Sequence, residues 1–203
     1  AEGVKGSSYY FKYNNVLFVS IDTEASGTAA VQKEWFKEVV TSNYAQYIVV
    51  FMHRSFYGSI YANVSPGLQA TWQPLFDECG VDLVLTGHDH VYMRSHKVYQ
   101  GQVVANDHKG GTVYMTLGSA GSKYYDYNNT YAAYHAKWIQ KTTTGTLFTV
   151  KSDGLYLKTF NKAGDILDEA TILSNRSQFT SHFDKESFLS SVSITRNKDD
   201  QTK

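Results

Sequence analysis

Two short apolar runs end on histidine, and they constrain what this chain can fold into more than any other feature. Tyr47-Ile48-Val49-Val50-Phe51-Met52 leads into His53, and Val81-Asp82-Leu83-Val84-Leu85-Thr86 leads into Gly87-His88-Asp89-His90. Each run is apolar and short, so each predicts a buried strand. About 35 residues separate His53 from His88, and the stretch between them has a helical pattern. In open α/β sheets, ligand sites lie beyond the carboxyl ends of the strands. Two such strands therefore predict one shared site with imidazoles at its rim. Neutral imidazole is the commonest side-chain ligand for metals such as zinc, iron and manganese. Alternate residues on an extended segment point the same way, so His88 and His90 are expected to face one ion or a pair of ions together. Gly87 lets the backbone turn tightly beside them.

The rest of the chain supports an α/β reading. Residues 9–13 and 16–22 read as two strands around an Asn14-Asn15 turn. Residues 28–42 repeat Val31, Trp35, Phe36, Val39 and Val40 at helical spacing, with a polar opposite face. Ser65-Pro66 reads as a helix start, and that helix is expected to kink or restart at Pro74 and to end at Gly80. Residues 98–104, 111–117, 147–151, 155–160 and 166–172 read as strands, the last three as a meander with turns at Ser152-Asp153-Gly154 and Ala163-Gly164-Asp165. From Ser174 the chain turns polar, so residues 174–203 are expected to form a tail or the start of a linker.

Composition narrows the classes of function. Formal net charge is zero, and no apolar run reaches eighteen residues. Neither nucleic acid nor a membrane is therefore expected as the main partner. The single Cys79 excludes an internal disulfide and suits core packing. Ser55 has no His/Asp context that would mark a nucleophile. His96, His108, His135 and His182 lack partner spacing and read as solvated or capping residues. The 16 tyrosines cluster at Tyr9-Tyr10, Tyr124-Tyr125 and Tyr131–Tyr134, which suits sheet surfaces and wet loops.

The segment from Tyr47 to Gly58 and the string from Trp72 to Ser95, with its Gly-His-Asp-His, resemble the C-terminal half of a calcineurin-like metallophosphoesterase of the purple-acid-phosphatase-like branch. The upstream strands and the Gly111-to-Gly121 segment fit the same branch, so the likeness covers roughly residues 8 to 172. It implies an α/β (α+β) fold, part of a metallophosphoesterase-type sandwich of two mixed β-sheets flanked by helices, with residues 1–173 as the C-terminal portion of the catalytic domain. It implies two divalent or trivalent metal ions (iron, zinc or manganese), with His53 and His88 on one and His90 on the other. It implies hydrolysis of phosphomonoesters or diesters by a metal-activated hydroxide, and a secreted or extracytoplasmic setting. Tyr57 and Arg94 are the candidate substrate contacts.

The departures from that family matter equally. Its earlier motifs, Asp-x-His, Gly-Asp-x-x-Tyr or Gly-Asp-x-x-Asp, and Gly-Asn-His followed by an acid, belong upstream of these strands. No Gly-Asn-His occurs, and Asp22-Thr23-Glu24 carries Glu where a His belongs. Gly164-Asp165-Ile166-Leu167-Asp168 matches by letter but lies downstream, in a hairpin turn. Two expectations follow. Without a bridging carboxylate, the isolated chain should be a poor hydrolase. One sheet face should also be left apolar and exposed, to be covered by an N-terminal half or a second chain. The alternative is a degenerate, non-catalytic module that binds a partner through that face.

Overall fold

The computed structural model describes residue 4 and residues 6–176. The expectations for residues 177–203, including the polar end and His182, lie outside the described residues. Eight strands form one mixed sheet: β1 (Tyr9–Tyr13), β2 (Val16–Ser20), β3 (Tyr47–Met52), β4 (Leu83–Thr86), β5 (Tyr92–Tyr99), β6 (Gln102–Val104), β7 (Thr112–Leu117) and β8 (His135–Ile139). Their order is β1-β2-β3-β4-β7-β5-β6, with β8 also pairing to β5. The centre, β2-β3-β4-β7, is parallel, and β1 and β5 flank it antiparallel.

Helices α1 (Ala29–Ser42) and α2 (Ser65–Cys79) cover one face of this sheet. Phe36, Val39, Trp72, Leu75 and Phe76 from the helices pack on Leu17, Val19, Ile48, Val50 and Val84. Gly80 ends α2 in the left-handed region (φ 65°), and its N–H returns to the carbonyls of Phe76 and Asp77. Pro74 does not restart α2: it sits inside one continuous helix. Ser65 is not a cap there; its hydroxyl donates to the Ser55 carbonyl instead.

The opposite face differs from the expectation. The meander β9 (Gly145–Val150), β10 (Leu155–Phe160) and β11 (Ile166–Ile172) forms a second, three-stranded antiparallel sheet that folds back over it. Leu155, Leu157 and Ile172 are buried against Val16, Tyr47, Val49, Leu83, Val113 and Met115. The face expected to lie bare on residues 16–21, 48–52 and 81–85 is therefore largely covered. Apolar exposure survives at one corner, where Tyr9, Phe11 and Tyr13 are exposed and Phe18, Phe51 and Leu85 half-buried. There the Phe11 ring stacks on Phe18 at 4.8 Å, and Tyr9 meets Phe51 edge-on at 5.7 Å.

Polar stitches hold the small sheet in place. Arg94 on β5 grips Asp168 on β11 with two hydrogen bonds (2.7 and 2.9 Å), and the Tyr92 hydroxyl donates to the same carboxylate at 2.8 Å. At the far end, the Tyr47 hydroxyl donates to the Lys151 carbonyl and the Gln46 amide to that of Ser152. The chain after β11 does not leave the body at residue 174. Asn175 donates its backbone N–H to Asp82 and its side-chain amide to the carbonyls of Val81 and Gly111.

Burial works to raise the pKa of Asp168, but the Arg94 fork and the Tyr92 hydroxyl outweigh it and hold the carboxyl below its ordinary range. A depressed folded-state pKa contributes stability that is full above the unfolded value of about 3.9 and is lost as pH falls through the folded value. Arg94→Met leaves that carboxylate buried without its cation, a loss expected to cost about 3–5 kcal/mol. Urea unfolding at neutral pH should show it, and the acid-unfolding midpoint of the variant should move to higher pH. A variant with an unchanged urea midpoint would show that the clamp contributes nothing.

Candidate metal centre

The parallel register of β3 and β4 pairs Met52 with Thr86, so the chain leaves both strands at the same height. The ladder extends one step further, because the Gly87 N–H donates to the His53 carbonyl (3.0 Å). His88 then adopts φ 66°, a left-handed conformation uncommon for a residue with a side chain. That turn brings its ring to His53: His88 Nδ1 lies 3.0 Å from His53 Nε2, with ring planes at 72°. Two nitrogens each about 2.0–2.1 Å from one ion, at tetrahedral to octahedral angles, lie about 2.9–3.4 Å apart. The pair therefore fits two positions on a single ion. Burial, then the neighbouring His53 and Arg54 charges, lower the pKa of His88 and keep its ring neutral, as a ligand must be.

His90 reaches the rim differently. Residues 87–90 are a bend and not an extended segment, so the expected alternation of His88 and His90 does not hold. His90 Nδ1 donates to the Lys123 carbonyl at 2.8 Å, which fixes the tautomer and leaves Nε2 bare. That is the outer hydrogen bond that ligating histidines usually make. Its ring leans on Tyr125 (4.8 Å). Among the described residues, no three His, Cys, Asp or Glu side chains converge on one point, so the three histidines do not close a coordination shell together.

Each carboxylate nearby accepts hydrogen bonds from the framework. Asp89 is buried, and its Oδ2 accepts the N–H groups of Ser59 and Ile60, tying the histidine loop to the loop after His53. Glu24 is held bidentate by Arg54 (2.7 and 2.8 Å), and Asp22 Oδ1 accepts the N–H groups of Glu24 and Ala25. Ser55, rejected as a nucleophile on sequence, is buried in a run of hydroxyls from Gly87 to Thr116 and Thr86.

Both candidate substrate contacts require correction. Tyr57 is buried, donates to Gln73 Oε1 (3.0 Å), and packs among Tyr114, Tyr131 and Tyr134 on the helix side of the sheet. Arg94 is committed to Asp168 on the other side. Both were placed by nearness in sequence to a histidine, but the bend after His53 carries Tyr57 into the core and β5 aims Arg94 at the small sheet. His135, read as solvated or capping, is instead half-buried, between the Tyr57 carbonyl (2.7 Å) and the Tyr127 hydroxyl (2.8 Å). Tyr61 and Tyr125 stand at the rim in place of Tyr57 and Arg94. The Tyr61 ring lies 3.9 Å from that of His88, its hydroxyl is 3.4 Å from that of Tyr125, and Lys123 sits over the Tyr125 ring at 5.2 Å. Hydrogen bonds from Lys123 and then Tyr61 lower the pKa of Tyr125. No local motif marks these tyrosines; only the fold of their loops brings them in.

Gly58 is the tightest point of this framework. A Cβ there would fall on Asp89 Oδ2 and lie 2.6 Å from Ser55 Cβ. Gly58→Ala must displace the Asp89 anchor, and overpacking of this kind costs about 1–3 kcal/mol. Zinc affinity of the intact protein should fall on the order of 10–100-fold, the range seen when support of a ligand is lost. Zinc titration calorimetry gives the answer, and unchanged affinity would show that the Asp89 anchor does not position the histidines.

Comparison with known proteins fits this geometry. A family model described as calcineurin-like phosphoesterase matches residues 3–92. Purple acid phosphatase 18 of Arabidopsis thaliana is 31% identical over 97 residues, 45% of this chain and 21% of that protein. Purple acid phosphatase 15 of the same plant is 27% identical over 130 residues, 60% of this chain and 24% of that protein. The chain thus spans about a fifth to a quarter of the length of these curated relatives. Among solved structures, purple acid phosphatase PPD1 from yellow lupin superposes with a TM-score of 0.67 at 22% identity, over 85% of this chain and 34% of that one. GAP50, described as the anchor in the inner membrane complex of Plasmodium, superposes with a TM-score of 0.64 at 17% identity, over 85% and 55%. Over residues 3–92 the chain is thus similar to calcineurin-like phosphoesterases, its curated relatives include plant purple acid phosphatases, and it shares the fold of a purple acid phosphatase.

Proposed function

We propose that this chain supplies the histidine side of a binuclear, metal-dependent phosphatase acting on phosphomonoesters or diesters. The observation that carries the reading is the His53–His88 pair, two imidazole nitrogens 3.0 Å apart at the carboxyl ends of adjacent parallel strands. His53 Nε2 and His88 Nδ1 would hold one ion, and His90 Nε2 would serve the second. Bound there, such ions supply Lewis acidity toward a phosphoryl oxygen and activate water.

The chain's own residues do the rest of what it contributes. Asp89, through the Ser59 and Ile60 amides, keeps the histidine loop from moving when a ligand exchanges. The Lys123 carbonyl orients His90. The paired hydroxyls of Tyr61 and Tyr125, with the Lys123 ammonium beside them, offer donors and positive charge where phosphoryl oxygens would lie. The carboxylates nearest the histidines already have structural duties, Glu24 through both oxygens to Arg54 and Asp22 and Asp89 through one oxygen each to backbone amides, and none of them is placed with the histidines to bridge two ions. On that account the isolated 203-residue chain binds metal but turns substrate over negligibly. The remaining ligands would come from a second polypeptide segment seated on the aromatic corner of Tyr9, Phe11, Phe18 and Phe51, next to the rim. The absence of a converging third ligand also supports a second reading, a non-catalytic module that keeps the scaffold.

Zinc calorimetry and aryl phosphate hydrolysis on wild type and on His53→Ala and His88→Ala distinguish these. Wild type should bind zinc, and each alanine variant should lose well over tenfold in affinity while keeping its unfolding transition. Turnover by the isolated chain should stay near the uncatalysed rate. Brisk turnover abolished by His88→Ala would overturn the incompleteness of the site. Zinc binding indifferent to both substitutions would overturn the site itself and leave the non-catalytic reading.

A further inference from the structure

Three triplets of the form Asn-x-Ser/Thr stand in the chain: Asn63-Val64-Ser65, Asn128-Asn129-Thr130 and Asn175-Arg176-Ser177. A folded protein can carry a glycan at such a triplet only on a surface loop, where the amide nitrogen is free and the hydroxyl can serve it. The fold sorts the three on those grounds.

Asn175 does not qualify. Its amide nitrogen donates to the carbonyls of Val81 (2.9 Å) and Gly111 (2.7 Å), and its backbone N–H donates to Asp82. A sugar on that nitrogen would replace one of those hydrogens and wedge itself between the segments that lead into β4 and β7. Asn63 is exposed, but the hydroxyl of its triplet is not. Ser65 is fully buried at the start of α2, with its hydroxyl given to the Ser55 carbonyl at 3.1 Å.

Asn128 meets every condition. Residues 128–130 are all exposed. Asn128 Oδ1 accepts both the Thr130 hydroxyl (2.6 Å) and the Thr130 N–H (2.9 Å), while its Nδ2 makes no hydrogen bond among the described residues. Amide nitrogen is a poor nucleophile because its lone pair is delocalised onto the carbonyl oxygen. Two donors already aimed at that oxygen stabilise the charge it gains as the nitrogen gives up a proton. The backbone beneath is fixed as well. The Asn128 N–H donates to Ser59 Oγ, the Ser59 hydroxyl donates to the Asn128 carbonyl, and the Ser59 N–H holds Asp89. The triplet is thus docked on the framework of the histidine rim with its side-chain nitrogen left to solvent.

We infer that Asn128 is an acceptor for an N-linked glycan and that Asn63 and Asn175 are not. In the transfer, Asn128 Nδ2 bonds to the anomeric carbon of an oligosaccharide carried as a lipid-linked pyrophosphate. The bond from that carbon to the pyrophosphate oxygen breaks, the lipid pyrophosphate leaves with the electron pair, and one amide proton passes to a base. Nothing is oxidised or reduced.

The test is the full chain directed into the secretory pathway of a eukaryotic cell, with secreted and cell-retained material both collected. Peptide N-glycosidase in heavy-oxygen water leaves a labelled carboxylate wherever a glycan stood, and peptide mass spectrometry reads the position. Residue 128 should carry the label in most molecules, and residues 63 and 175 should stay at background. Thr130→Ala, an exposed change, should abolish the label at residue 128, and Thr130→Ser should restore it. Asn129→Pro should abolish it too, since proline is excluded from the middle of the triplet. An unlabelled residue 128, label at residue 63 or 175 equal to that at 128, or a label that survives Thr130→Ala would each overturn the assignment.

Discussion

Everything at the rim depends on β3 and β4 being neighbours, parallel and in one register. Met52 opposite Thr86 puts the next residues, His53 and Gly87, at one level, and the Gly87 N–H to the His53 carbonyl locks them there. A slip of one residue would turn every side chain of a strand to the other face, and His53 would then face away from the second loop. The register is itself secured by burial on both faces. Val50 and Val84 pack toward the helices, while Val49 and Leu83 pack toward the small sheet. The two hydrophobic layers are thus what holds two imidazole nitrogens 3.0 Å apart.

A sheet whose central strands are apolar on both faces needs two covers, and this chain makes the second from its own last strands. Leu155, Leu157 and Ile172 alternate inward along β10 and β11, and Arg94 and Tyr92 reach across to Asp168 to fix the angle of docking. The cover stops short of the β1 edge, which leaves the Tyr9 and Phe11 rings exposed over the half-buried Phe51 and Phe18. The exposed patch is a corner and not a whole face because the meander is only three strands wide.

Much of this was legible in the residues. The apolar runs ending on His53 and His88 named both strands and their common rim, the helical period of residues 28–42 named α1, and the turn residues Asp153-Gly154 and Gly164-Asp165 named the meander. The rest depended on contacts between distant residues. Residues 98–104 read as one strand but contain a hairpin turn, with Gln100 at φ 49° and Gly101 at φ 75°. β8 was not legible, because its pairing to β5 comes from tertiary contact and not from an apolar run. Arg94 and Tyr57 looked like site residues because sequence nearness shows neither the Asp168 partner 74 residues away nor the Gln73 acceptor. The left-handed turn at His88 is the least legible feature: nothing in Gly-His-Asp-His says that the first histidine, and not the glycine before it, takes the positive φ.

That turn also explains why Asp89 lies between the two histidines. A left-handed residue with a side chain is strained unless its surroundings hold it, and Asp89 supplies the hold by burying its carboxylate against two backbone amides. The carboxylate placed between the histidines is therefore a bracket and not a ligand, and the same arrangement forbids a side chain at Gly58. The N–H donors that fix Asp89 come from the loop directly after His53, so the bracket joins the two strand ends that carry the His53–His88 pair. Ligand geometry and loop strain are in this way coupled through one buried carboxylate. Its remaining oxygen, Oδ1, is buried without a partner among the described residues. That leaves Asp89 as the polar group of the loop with most to gain from a further hydrogen bond.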